Sequence, residues 1–127
     1  MNKDSVIRSA SRYDLPALNR FLDNAPRFHR HLDWCPPLDW LGSQPFVLLD
    51  SNEGIQACLV CTEDPPKIAW VRYFACAAGV NPLSVWPPLF DACLAYFRAQ
   101  QLPWVPALGL SDWFTNLLRR NKFELHQ

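Results

Sequence analysis

Cys58 and Cys61 stand at the Cys-x-x-Cys spacing that redox centres and zinc sites use. The pair lies in the alternating run Ile55 to Thr62, which reads as a strand. Positions i and i+3 of a strand point to opposite faces, so the two sulfurs do not converge. Core or half-core thiols are the expectation. His29, His31 and Cys35 are the other cluster with ligand chemistry. No second ligand pair at zinc spacing completes it, so no metal is expected, and the histidines are placed on a surface loop or short helix. The carboxylates able to act as a general base are Asp33, Asp39, Glu63 and Asp64. All fall in turns or an irregular segment and read first as solvated groups.

The elements that position these residues follow from periodicity and punctuation. Val6 to Ala10 is a short strand. Asp14 can cap a helix that has Pro16 in its first turn, with Leu15, Leu18, Phe21 and Leu22 as its apolar stripe. Pro26 closes it. Residues 27–43 read as irregular, with one short helix before Cys35, and lie on the surface or over a cleft; Pro36-Pro37 prevents a long helix. Phe46 to Leu49 and Ile55 to Thr62 form a hairpin around Ser51-Asn52-Glu53-Gly54, and Ile68 to Cys76 is a third strand. Trp86 to Gln100 reads as a helix with Pro87 and Pro88 in its first turn. Trp104 to Leu110 reads as a strand, and Asp112 to Arg120 as a helix with Ser111 as N-cap. Phe123 to Gln127 begins a last strand. The fold class is α+β, a layered α/β arrangement with helices on the faces of a mixed, largely antiparallel sheet.

Composition bounds the function. The 127 residues fit one domain on the prior of roughly 100–200 residues each. Twelve basic and 12 acidic side chains give no net charge, which argues against nucleic acid as a partner and against a polybasic membrane anchor. No window reaches the roughly 18 uninterrupted apolar residues of a membrane span, and the N-terminus lacks a signal-peptide core, so a cytoplasmic protein is expected. Five cysteines at irregular spacing then read as reduced and buried. The 12 prolines are nearly twice the average share of about 5%, and 6 tryptophans are also present.

The chain resembles the GNAT N-acetyltransferases. Ile7-Arg8-x-Ala10-x-x-x-Asp14-Leu15-x-Ala17-Leu18 looks like the family's first strand and helix. Residues 46–76 look like its central antiparallel strands. Asp91 to Gln100 looks like the body of its cofactor-side helix, and Leu117-Leu118-Arg-Arg-Asn-Lys-Phe123 like the end of its last helix. The resemblance implies a fold of this type over nearly the whole chain. It implies acyl transfer from acetyl-CoA, with carbonyl polarisation by backbone N–H groups near Phe74, Ala75 and Cys76.

The departures cluster at the cofactor. The family signature Gln/Arg-x-x-Gly-x-Gly/Ala, whose backbone N–H groups hold the pyrophosphate, falls on Asn81, Ser84 and Trp86. Trp86 adds bulk where bare backbone is needed, and Pro82, Pro87 and Pro88 remove N–H donors. The family's general-acid tyrosine falls on Leu118, which has no proton to give. The family's closing hairpin has no counterpart after Lys122. The expectation is a single GNAT-like domain over 1–127, its final hairpin missing or truncated. It is completed by a second copy or another domain, or is one piece of a longer protein. Its acetyl-CoA site is degenerate, no cofactor is expected, and the domain serves as a binding or structural module. Phe28, Arg30, Trp34 and Trp40 have the residue types of an interaction surface. The alternative is an active N-acyltransferase that uses acetyl-CoA with a non-standard cofactor loop.

Overall fold

Three strongly patterned runs form the centre of a five-stranded antiparallel sheet. The computed structural model describes residues 5–30, 36–64, 68–99, 105–107, 109 and 111–124. The strands are β1 (Val6–Ser9), β2 (Arg27–Arg30), β3 (Phe46–Ser51), β4 (Gly54–Asp64) and β5 (Ile68–Cys76), in spatial order β1-β3-β4-β5-β2. The β3–β4 hairpin turns at Gly54, whose φ of +107° is a conformation open chiefly to glycine. Opposite Val60 and Cys61, the strand β5 carries one extra residue, Arg72, between Val71 and Tyr73. That bulge shifts the inward side of β5, so Val71 and Phe74 both face the same layer.

The alternation of β4 divides the core. Ala57, Leu59 and Cys61 face one layer, and Cys58 and Val60 the other. The first layer is covered by α2 (Pro82–Ala99) and α3 (Asp112–Arg120). The second is covered by α1 (Leu15–Asn24) and a 3-10 turn at Pro37–Trp40. Cys58 and Cys61 therefore sit on opposite faces, both fully buried, as the strand reading requires.

Five sequence expectations need correction. Asp14 does not cap α1 with its side chain; its carboxylate binds Arg8 of β1 through both terminal guanidinium nitrogens, at 2.9 and 2.7 Å. Residues 27–30, read as irregular, are a strand. The helix expected from Trp86 begins at Pro82, so Pro87 and Pro88 lie in its interior rather than its first turn. The strand expected over Trp104 to Leu110 is not formed at 105–107 or 109; Pro106 contributes one ladder-like bond, its carbonyl accepting the Val71 N–H at 3.0 Å. Proline has no N–H with which to continue that ladder. Phe123 and Glu124 are not in a strand, and the rest of both terminal expectations, like the short helix before Cys35, lies outside the described residues.

Candidate functional site

β5 runs into α2 through Ala77 to Asn81, with Gly79 at φ +78°. This is the turn onto which the pyrophosphate signature falls. The start of α2 is satisfied from within. Asn81 Oδ1 accepts the Leu83 N–H at 3.0 Å, and the Asn81 carbonyl accepts the Ser84 N–H at 3.0 Å. Pro82 has no N–H to offer. The first three positions of the helix thus present no open backbone donor, a result of Asn81 and Pro82 rather than of Pro87 and Pro88.

The inward stripe of α2 is Val85, Trp86, Leu89, Cys93 and Phe97. Trp86 is fully buried. Its ring stands edge-on to Phe74 at 5.0 Å between centroids and stacks on Phe90 at 5.1 Å. It meets Phe114 of α3 at 5.9 Å and Phe123 at 6.1 Å. His29 of β2 extends the cluster, lying flat on Phe114 at 3.8 Å. Among the described residues the Trp86 indole N–H has no hydrogen-bond acceptor. A buried donor left so costs about 1–3 kcal/mol.

The backbone of Phe74, Ala75 and Cys76 is flanked on both edges. β4 pairs Leu59 with Phe74, Cys58 with Ala75 and Ala57 with Cys76. On the other edge β2 pairs His29 with Phe74, Phe28 with Ala75 and Arg27 with Cys76. All three β5 side chains are fully buried. Asn81 and Ser84 point elsewhere. They line an open cleft of about 310 Å³ with Ser51, Glu53 and Gln56, on the β3–β4 hairpin side of α2. The six residues aligned with the cofactor site are therefore divided between an outer cleft and the core. A second cleft, of about 470 Å³, lies between β1, residues 42–47 and Tyr96.

Acid–base groups are sparse here. Leu118 is buried in the α2–α3 layer beside Leu117. Burial, with the neighbouring Cys58, pushes the Tyr73 phenol up, against the opposing pull of Arg30. Asp39 and Glu63 are exposed, whereas Asp33 and the Asp64 side chain lie outside the described residues. Burial pushes the Cys76 thiol up to about 12 and the Cys58 thiol higher still. Cys61 is raised first by a hydrogen bond with Cys93 and then by burial. Thiols held protonated in this way are poor nucleophiles. Among the described residues no group of three or more His, Cys, Asp or Glu could hold a metal.

Of the interaction residues, Phe28 is 53% exposed and stacks on Tyr73 at 6.2 Å, and Arg30 is exposed beside it on β2. Trp40 is half-buried under the Arg72 guanidinium, 5.8 Å from the ring centroid. Trp34, His31 and Cys35 lie outside the described residues. The residue that sequence reasoning misplaced is His29. It is a core side chain, not a surface one, because Phe114, distant in sequence, covers it.

No family model matches the sequence, and no curated protein matches it. Solved structures do. The ribosomal-protein-S18-alanine N-acetyltransferase from Escherichia coli superimposes with a TM-score of 0.71 at 13% identity, over 97% of this chain and 79% of that one. An N-acetyltransferase from Staphylococcus aureus Mu50 gives 0.71 at 13% identity, over 96% and 84%. An aminoglycoside acetyltransferase from an uncultured soil metagenomic sample gives 0.70 at 14% identity, over 99% and 92%. The fold is that of the GNAT N-acetyltransferases. At such identity the likeness is one of fold. Among the described residues, the sheet and flanking helices expected from residues 7–18, 46–76, 91–100 and 117–123 are present, and no helix is long and apolar enough to cross a membrane.

Proposed function

We propose that this GNAT-fold domain is a non-catalytic binding or structural module, its acetyl-CoA cleft filled by its own side chains. The observation that carries this reading is the complete burial of Trp86, at a position the resemblance assigns to the cofactor signature, between Phe74 and Phe114. Three further features support it. The start of α2 is capped by Asn81 and begins with Pro82. The β5 backbone at Phe74 to Cys76 is flanked on both edges. Leu118 offers no proton to a departing thiolate. A lost charge-assisted bond to phosphate is worth about 1.5–3 kcal/mol, and each 1.4 kcal/mol is about tenfold in affinity. Two such losses would weaken cofactor binding by several orders of magnitude.

Titration of acetyl-CoA and coenzyme A by calorimetry tests this, with no saturable heat expected. Saturation at micromolar ligand would overturn it. That result would favour the alternative, an active N-acyltransferase, for which the whole-chain likeness to acetyltransferases speaks. There the acceptor amine attacks the thioester carbonyl to form the amide bond, the C–S bond breaks to release the coenzyme A thiolate, the amine proton passes to that thiolate, and positioning carries the rate.

In the non-catalytic reading, Phe28, Arg30 and Trp40 form the surface offered to a partner. Completion of the sheet by a second copy belongs to the same reading, and a monomer by light scattering at high concentration would exclude it.

A further inference from the structure

We propose that β2 is a displaceable strand, an autoinhibitory contact that closes the outer edge of β5 against any other extended chain. The proposal rests on the filled-cleft reading and adds to it the part that can open. β2 has four residues, and only His29 among them is buried. One hold on the helical layer is the stack of His29 on Phe114. On the other face Phe28, itself half exposed, stacks on Tyr73. The opposite edge of β5 is held differently, by β4 over the whole of Ala57 to Asp64. An element with one buried side chain opens at lower free energy than the strands it rests on.

A second observation points the same way. The buried Trp86 N–H without an acceptor lies in the same ring cluster, one ring beyond Phe114. The closed arrangement leaves that donor unsatisfied, and opening the β2 side of the cluster lets water or a ligand acceptor reach it.

Alternation identifies what opening would release. The Ala77 N–H donates to Gln56 on the β4 side. Counting back, Ala75 and Tyr73 face β4, so the N–H and C=O groups of Phe74 and Cys76 face β2. They are the groups a competing extended chain would pair with. Phe28 and Ala75 then form the non-hydrogen-bonded pair, where opposed side chains come closest.

Native-state amide hydrogen exchange tests the proposal on the whole chain. In the wild type, the Phe74 and Cys76 amides should exchange about tenfold or more faster than the inter-strand amides of β3 and β4. His29→Ala should speed those two by about another tenfold and leave β3 and β4 unchanged. A cross-strand disulfide from Phe28→Cys with Ala75→Cys should slow them to the β3–β4 rate. Equal rates across all three strands in the wild type would overturn the proposal, as would uniform acceleration in His29→Ala. If His29→Ala does not fold, the disulfide variant decides alone: unchanged exchange at Phe74 and Cys76 overturns it. Coenzyme A binding to the wild type would instead defeat the filled-cleft reading, whatever the exchange rates are.

Discussion

Arg8 joins two carboxylates from different elements. Its guanidinium reaches Asp14 at 2.7 Å and Asp50 at 2.9 Å, and the Ser11 N–H adds a third donor to Asp14 at 2.7 Å. The Arg8 hydrogen bond, against some desolvation, holds the Asp14 carboxyl down to about 2. A folded-state value below the unfolded value of roughly 3.9 means the contribution to stability is complete above that pH. It is lost as pH falls from about 4 toward 2. Because the Arg8 side chain is 36% exposed, solvent screening limits the contribution to about 1 kcal/mol. Asp14→Asn should therefore melt below the wild type at neutral pH, and the two curves of melting temperature against pH should converge near 2. A constant gap down to pH 2 would mean that Asp14 acts through its shape and not its charge. Sequence pattern placed Asp14 beside a helix start but could not show that Arg8 joins it to Asp50, because Asp50 comes from a strand 42 residues beyond Arg8. His29 was hidden for the same reason. The burial of Trp86 was legible, since a large indole stands where the resemblance puts a small residue, and a ring of that size goes to the core.

Periodicity made the longer elements legible. α1, α3 and strands β3 to β5 each carry a buried stripe or an alternation that survives into the fold. β2 carries neither: Arg27-Phe28-His29-Arg30 has a single apolar residue, and that residue faces water. The start of α2 was misplaced because Pro87 and Pro88 look like first-turn prolines. They are tolerated inside because Asn81 and Pro82 start the helix one turn earlier. The local loss is real. Pro87 has no N–H for the Leu83 carbonyl, and its ring crowds that carbonyl. Pro87 is exposed, so replacing it removes no core packing. Pro87→Ala should stabilise the protein by about 1–2 kcal/mol, after an opposing gain in unfolded-chain entropy of about 0.4–1 kcal/mol. Urea denaturation would show the midpoint rise. A fall would mean that the prolines set the bend of α2 needed to seat Trp86.

The molecule has two apolar layers on one sheet, and the sheet belongs to both. β4 sends Leu59 and Cys61 into the α2–α3 layer and Cys58 and Val60 into the α1 layer, and β5 sends Phe74 one way and Tyr73 the other. Neither layer can melt without unpairing strands that the other requires, so the two should unfold together. Tryptophans report on both sides, Trp86 and Trp113 on the α2–α3 layer and Trp40 on the other. Far-UV circular dichroism reports on helices from both layers. In urea the fluorescence and circular dichroism transitions should superimpose. Fluorescence that changes at lower urea than ellipticity would show one layer loosening first, and the shared strands would then not couple the faces. Opening of β2 is compatible with a single transition, because a four-residue edge strand contributes little to either signal and its loss leaves β3, β4 and β5 paired. The aromatic layer around Trp86 would then act as the fixed part of the fold and β2 as the part that moves over it.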